Sequence, residues 1–334
     1  MGKRTERLLP LALVVVMLLC LSAATRKTTT IFIIGDSTAA NKDTLNGKKE
    51  RGWGMMLQRC FDDNIRVDNH AVNGRSSLSF INEGRWQRVL DLIEPGDYVI
   101  IQFGHNDEKP NPDRHTDPGS TFDDNLRRFV LEAREKGAIP VLFNSVVRRN
   151  FAPVAPKNDD DEALRNKTFA SQTAKEGDVL IDTHGDYIVA PRNVARELNV
   201  PFVDANQITH DLEQSMGPVE SRNLHMWFYP GDIRLPKGRQ DNTHYNVYGA
   251  HRVASLLADA IGEKVPALKK YIRHFDYTVA TDGSGKYFNV QDAVDAAPAG
   301  KTSVVMVAKG KWRKPVVPRY KKVRFVMRDG ASWM

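Results

Sequence analysis

The chain has 334 residues, enough for one large domain and a smaller second unit. Its hydrophobic content of 41% and charged content of 27% are typical of a soluble globular protein. The net charge of +7 does not indicate a nucleic-acid partner, because residues 25–264 hold 31 Lys and Arg against 35 Asp and Glu and the basic excess lies in residues 265–334.

The first 24 residues have the pattern of a secretory signal peptide. Basic residues precede an apolar run over residues 8–21, and small residues at 22–24 offer a cleavage site. The run is too short to span a membrane comfortably, so we expect a secreted or periplasmic protein with no membrane span after cleavage. Leu19 is bulky where a lipoprotein signal carries a small residue, which argues against lipid anchoring at Cys20.

Strand-like and helix-like segments alternate from residue 25 to residue 262. Apolar runs predict strands over residues 31–34, 65–72, 98–103, 139–147 and 200–204. Amphipathic spacing predicts helices over residues 52–61, 80–93, 121–136, 186–198, 208–216 and 247–261, with an irregular loop over residues 221–239. This alternation predicts an α/β fold in three layers, α/β/α, around a central and mostly parallel five-stranded sheet.

Polar residues follow several of the predicted strands. Ser37 follows the first strand, Gly74 the second and Asn106 the third, while Asp241 and His244 precede the last helix. Each has an ordinary explanation when taken alone, such as a turn, a helix cap or a packed histidine. Ligands of open α/β sheets bind at the carboxyl ends of the strands, so these residues can gather on one edge of the sheet.

The same residues, taken in order, resemble the motifs of the SGNH (GDSL-like) hydrolase family, whose fold is flavodoxin-like. The motifs are Gly35-Asp36-Ser37, Gly74, Gly104-His105-Asn106-Asp107 and Asp241-Asn242-Thr243-His244. Residues 30–262 resemble the rhamnogalacturonan acetylesterase branch of that family more closely. The segments that carry this resemblance are Gly35-Asp-Ser-Thr38, Gly52-Trp-Gly54, Asn73-Gly-Arg-Ser-Ser77, Phe103-Gly-His-Asn-Asp107 and Asp241-Asn-Thr-His-Tyr245.

The resemblance implies a serine carboxylic-ester hydrolase that removes acetyl groups from a pectic polysaccharide, rhamnogalacturonan. Ser37 would be the nucleophile, His244 the base and Asp241 the residue that orients the imidazole. The backbone N–H groups of Ser37 and Gly74 and the side-chain amide of Asn106 would form the oxyanion hole. The reaction would proceed through an acetyl-serine, with no cofactor and no metal ion.

Aromatic residues on the predicted loop 221–239 are candidates for contact with sugar rings. Trp227 and Tyr229 lie on this loop just before Asp241, so we expect them to bind substrate. Two alternatives stay open: hydrolysis of acetyl-xylan or another ester on the same fold, and a non-catalytic pectin-binding module. The sequence does not indicate an oligomeric state.

The composition changes after the predicted esterase domain of residues 25–262. Residues 263–274 are predicted to be a linker, and residues 275–334 resemble the opening of a pectin methylesterase. Trp312 and Arg313 stand where that family usually has a tyrosine and a glutamate, and its catalytic aspartates would lie beyond Met334. We therefore expect an incomplete, β-rich fragment of a right-handed β-helix, whose presence points to pectin as the shared substrate.

Overall fold

The computed structural model describes residues 28–45, 48–153, 175–232, 235–328 and 330–334. The predicted signal peptide of residues 1–24 lies outside them. The strands are β1 Thr29–Gly35, β2 Ile65–Asn69, β3 Tyr98–Gln102, β4 Ile139–Phe143, β5 Phe151–Ala152, β6 Val179–Leu180, β7 Phe202–Val203, β8 His225–Phe228, β9 Arg239–Tyr245, β10 Tyr277–Val279, β11 Thr302–Val307, β12 Gly310–Trp312, β13 Lys322–Met327 and β14 Ala331–Trp333.

The α-helices lie between and after these strands. They are α1 Trp53–Leu57, α2 Ser77–Asn82, α3 Arg85–Leu90, α4 Thr121–Glu135, α5 Ala190–Glu197, α6 Ala205–Glu220, α7 Val247–Lys264, α8 Pro266–Lys269 and α9 Val290–Ala296. Short 3-10 turns cover Gln58–Cys60, Gly185–Ile188 and Ser221–Leu224. In the described part of the chain, none of these helices is both long and apolar enough to cross a membrane.

The central sheet has five strands in the order β2-β1-β3-β4-β7, and every pairing in it is parallel. The predicted α/β fold with a parallel five-stranded sheet is therefore confirmed. Strand β1 is buried on both faces because its apolar residues alternate between two cores. Ile31 and Ile33 pack with residues of α1, α6 and α7, whereas Phe32 and Ile34 pack with residues of α2, α3, α4 and α5.

Two local predictions are corrected by the structure. Residues 80–93, predicted as one helix, lie largely in α2 and α3, because Gly84 between these helices has φ 65°, a left-handed conformation that interrupts a helix. Residues 221–239, predicted as an irregular loop, contain the 3-10 turn Ser221–Leu224 and the strand β8, which pairs antiparallel with β9.

The last part of the chain forms small parallel sheets. Strands β10, β11 and β13 make a three-stranded sheet, and β12 pairs with β14. Their core includes Val279, Val305 and Trp312. The predicted linker of residues 263–274 contains α8, which packs against α7. The division into domains, the right-handed β-helix and the likeness to a pectin methylesterase stay predictions.

Candidate active site

Ser37 lies in a tight turn at the carboxyl end of β1. The neighbouring residues hold this turn: the backbone N–H and the hydroxyl of Thr38 both donate to Asp36 Oδ1, each at 2.8 Å. The backbone N–H groups of Ala39 and Ala40 donate to the carbonyl of Asp36. Asp36 and Thr38 are buried, whereas Ser37 is only half-buried. The turn therefore presents the hydroxyl of Ser37 at the edge of the sheet, where ligands of this architecture bind.

A bulge in β9 brings Asp241 and His244 to the same edge. Tyr245 pairs with His225 and Gln240 pairs with Trp227, so the residues between them stand opposite a single residue of β8. The backbone N–H groups of Thr243 and His244 turn inward and donate to Asp241 Oδ1 at 2.8 and 2.9 Å. This local turn allows the two side chains to meet although they are three residues apart on a strand.

The structure joins Ser37, His244 and Asp241 in one hydrogen-bonded chain. His244 Nε2 lies 3.0 Å from Ser37 Oγ, and His244 Nδ1 lies 2.9 Å from Asp241 Oδ2. Because a carboxylate can only accept, Nδ1 must carry the proton of that bond, which leaves Nε2 free to accept the hydroxyl proton of Ser37 when the ring is neutral. A hydroxyl, a base and a carboxylate in this order can perform acyl transfer.

Asp241 is ionised in this arrangement. Burial alone would raise the pKa of its carboxyl, but the hydrogen bond and charge of His244, together with the two backbone N–H donors, outweigh burial. The pKa of Asp241 consequently lies well below its ordinary value. A permanent carboxylate stabilises the positive charge that the imidazole acquires when it takes a proton.

A second ion pair at Asp241 was missed by the sequence analysis. Arg239 Nη2 donates to Asp241 Oδ2 at 2.6 Å, and Arg239 Nη1 donates to Glu50 Oε2 at 2.7 Å. Glu50 also pairs with Lys42 at 2.9 Å. Arg239 precedes Asp241 by two residues on a strand, a spacing that places both side chains on one face and could have been noticed. Glu50 has no such signal, because it lies 189 residues away in sequence.

Asn106 and Gly74, the other two predicted oxyanion donors, lie on the loops that follow β3 and β2. Asn106 is 3% exposed and lines the same cavity as Ser37, and its Nδ2 donates to the carbonyl of Arg75 at 3.1 Å. A side-chain amide has two N–H donors, so one is left for a ligand. Gly74 has φ 73°, and the nearest atom to a Cβ built there is a guanidinium nitrogen of Arg114 at 3.7 Å. Backbone conformation, rather than crowding, therefore favours glycine.

Asp107 fixes the loop that carries Asn106. One of its oxygens accepts from the Ser77 N–H at 2.9 Å and from the Thr116 hydroxyl at 3.0 Å, and the other accepts from the Gly104 N–H at 3.1 Å. Burial raises the pKa of Asp107 to about 7, against the lowering effect of its hydrogen bonds to Ser77 and Thr116. These bonds tie the loop after β3 to the start of α2.

The cavity at Ser37 has a volume of about 370 Å³. It is lined by Ser37, His105, Asn106, Glu108, Lys109, Pro110, Arg148, Thr243 and His244. Trp227 and Tyr229 line a separate cavity of about 490 Å³. Trp227 is 8% exposed, and its ring lies about 5 Å from the guanidinium groups of Arg149 and Arg222. The structure thus does not bring the two aromatic residues to the Ser37 cavity, and their contact with substrate stays a prediction.

Known proteins resemble this chain over the part that carries the site. The model of the GDSL-like lipase/acylhydrolase family matches residues 31–257. Rhamnogalacturonan acetylesterase RhgT of Bacillus subtilis is 38% identical over 248 residues, which cover 74% of this chain and 95% of RhgT. The probable rhamnogalacturonan acetylesterase YesY of the same organism is 33% identical over 236 residues, which cover 70% of this chain and 92% of YesY.

A solved structure agrees with the fold. The crystal structure of YxiM from Bacillus subtilis superposes with a TM-score of 0.56 at 25% identity. The superposition covers 72% of this chain and 58% of the solved chain.

The match to the family model extends from β1 to α7 and includes Ser37, Asn106 and His244. The chain therefore belongs to the GDSL-like lipase/acylhydrolase family, and it is an esterase.

Proposed function

We propose that this esterase removes acetyl groups from rhamnogalacturonan, using Ser37 as the nucleophile. The observation that carries the mechanism is the 3.0 Å contact between Ser37 Oγ and His244 Nε2, with Asp241 behind the imidazole. The names of the relatives RhgT and YesY, which align over most of their length, support the acetyl ester and the polysaccharide.

In the proposed first half-reaction, Ser37 Oγ attacks the acetyl carbonyl carbon and its proton passes to His244 Nε2. The negative charge on the carbonyl oxygen is stabilised by the N–H groups of Ser37 and Gly74 and by the amide of Asn106. The tetrahedral intermediate then collapses, the bond from carbon to sugar oxygen breaks, and His244 returns its proton to that oxygen. Acetyl-Ser37 remains.

In the second half-reaction, water takes the place of the sugar. His244 removes a proton from the water as the oxygen attacks the acetyl carbon, and the same donors hold the new oxyanion. Collapse releases acetate and returns the proton to Ser37. Asp241 stabilises the imidazolium in both halves without becoming protonated, consistent with its lowered pKa.

The proposal includes export through the signal peptide predicted over residues 1–24, since the proposed substrate, rhamnogalacturonan, is a polysaccharide that lies outside the cell. The predicted likeness of residues 275–334 to a pectin methylesterase is consistent with a pectic substrate. The oligomeric state is left open.

Acetate release from acetylated rhamnogalacturonan, acetyl-xylan and acetylated homogalacturonan tests the proposed substrate. We expect kcat/KM on rhamnogalacturonan to exceed that on the other two polymers by at least about tenfold, the order of discrimination that a few substrate contacts provide. A preference for acetyl-xylan would replace the proposed substrate. Binding to pectin without acetate release from any ester would instead indicate a non-catalytic module.

The substitution Asn106→Ala is expected to lower kcat by about 10²- to 10³-fold with little change in KM. The reason is that the amide would donate to an oxygen that becomes fully charged only in the transition state. Steady-state acetate release measures the effect. Asn193→Ala on the exposed face of α5 is the matched control, because it deletes the same amide away from the cavity. A large rise in KM with unchanged kcat would contradict the assignment to the oxyanion hole.

Two substitutions of the charged residues behind Asp241 are expected to shift the pH dependence of kcat/KM in opposite directions. Arg239→Gln removes a cation beside Asp241 and is expected to move the acid limb of kcat/KM to higher pH, because loss of a nearby positive charge makes protonation of the site easier. Glu50→Gln removes an anion and moves that limb to lower pH. Since both side chains are partly exposed, we expect each displacement to be about half a pH unit. Equal losses of activity at all pH values would show that the two residues act only in folding.

A further inference from the structure

The cavity at Ser37 carries more positive charge than the reaction requires. Lys109 and Arg148 line it, and the guanidinium group of Arg114 lies 3.7 Å from the position of a Cβ on Gly74. Glu108 is the acidic side chain among the lining residues, and it is already paired with Arg148 and, at 2.9 Å, with His184 Nδ1. The Glu108 carboxylate in the cavity wall is therefore already bonded to Arg148 and His184.

Lys109 and Arg114 have no ion-pair partner among the described residues, although the charges of Glu108 and Asp36 act on Lys109 from a longer distance. Within the part of the chain that the structure describes, neither side chain forms a salt bridge or a hydrogen bond. Partial burial and the nearby guanidinium groups of Arg148 and Arg114 lower the pKa of Lys109. His105 adds no charge of its own, because burial and the neighbouring His184 and Arg148 hold its pKa well below the ordinary value.

This local excess is not a consequence of a basic surface in general. Residues 25–264, which contain the cavity, have more acidic than basic residues, 35 against 31. An acetyl ester is neutral and gives no reason to keep Lys109 unpaired in the cavity wall and Arg114 unpaired beside Gly74. Cations that face one another without a counter-ion are held at an energetic cost, which a bound anion removes.

We propose that Lys109 and Arg114 bind the carboxylate of a uronate residue next to the acetylated position, so that the enzyme acts on the free acid and discriminates against its methyl ester. The proposal rests on the proposed function, because it assumes a rhamnogalacturonan substrate at Ser37. Arginine pairs with carboxylates through a planar fork of donors and lysine through a point charge, so the two together suit a carboxylate better than a neutral ester.

The test compares two forms of one substrate. Oligosaccharides of acetylated rhamnogalacturonan are used with their uronates free or chemically methyl-esterified, and p-nitrophenyl acetate reports the acyl-transfer chemistry without any sugar. We expect the full chain to give a kcat/KM about tenfold higher on the free acid, a ratio that decreases as salt screens the charges. In the double variant Lys109→Gln/Arg114→Gln the ratio is expected to fall to about one.

The matched control is Lys136→Gln, which removes a lysine at the end of α4, on the opposite edge of the sheet from Ser37, and should keep the ratio. Equal rates on both forms in the unmodified enzyme, or an unchanged ratio in the double variant, would overturn the carboxylate site while leaving the proposed function intact. Turnover of p-nitrophenyl acetate with no acetate released from either oligosaccharide would overturn both.

Discussion

Ser37→Ala is expected to lower kcat/KM for acetyl esters by about 10⁴- to 10⁶-fold, the range found when a serine nucleophile is deleted. The loss is large because Ser37 Oγ is the atom proposed to form the covalent intermediate. It lies 3.0 Å from His244 Nε2. Any residual hydrolysis would come from water held near the oxyanion donors. Acetate release from p-nitrophenyl acetate and from rhamnogalacturonan measures the effect.

The control for this variant is Ser120→Ala. Ser120 is exposed at the start of α4, and its hydroxyl makes one hydrogen bond to the carbonyl of Asp117. Both variants should keep the thermal transition of the parent, because neither removes a buried contact of the core. Retention of more than about one tenth of the activity in Ser37→Ala would show that another residue or water attacks the ester.

Asp241→Asn has the second largest expected effect, a loss of about 10⁴-fold in kcat. The carboxylate accepts from His244 Nδ1 and from two backbone N–H groups, and it also pairs with Arg239. An amide in its place can donate to Nδ1, which would move the ring proton to Nε2, where it blocks acceptance of the serine proton. The amide also cannot neutralise the imidazolium.

The pH profile separates this explanation from simple unfolding. Raising the pH should not restore Asp241→Asn, because its defect is the tautomer and not the amount of neutral imidazole. Asp91→Asn is the matched control, since Asp91 is exposed at the end of α3 and its carboxylate accepts from the Gln87 side-chain amide, away from the Ser37 cavity. Wild-type activity in Asp241→Asn would exclude Asp241 from the reaction.

The sheet and the polar residues at its edge were predictable from sequence for physical reasons. A strand buried on both faces must be continuously apolar, so Ile31, Phe32 and Ile33 mark β1 unambiguously. The residues that follow such strands lie at one edge whatever the loops do. The placement of Ser37 and Asn106 in one cavity follows from this rule.

The hairpin of β8 and β9 could not be predicted in the same way. The sequence of β9, RQDNTHY, is polar and lacks alternation, because its bulge serves the contact of Asp241 with His244 rather than a core. Trp227 lines a separate cavity from Ser37, although it pairs with Gln240, the neighbour of Asp241, across the hairpin. Closeness to Asp241 was a poor guide to the position of the Trp227 ring, since successive side chains of a strand point to opposite faces.

The contacts that tune the site were also hidden from the sequence. Glu50 reaches Arg239 across 189 residues, and Arg114 approaches Gly74 from a loop that follows a different strand. Such ion pairs and close approaches depend on how loops return over the edge of the sheet. Local patterns of charge or hydrophobicity do not record that geometry.

Trapping of the acyl-enzyme is the most direct test of the central claim, that acetyl transfer passes through Ser37. A substrate with an isotopically labelled acetyl group is mixed with the full chain, quenched in acid during turnover and mapped by peptide mass spectrometry. The account predicts one labelled acetyl group on Ser37 in the parent and none in Ser37→Ala. A label on a different residue, or rapid acetate release with no acyl-enzyme at any quench time and no inhibition by a serine-directed phosphonate, would contradict it.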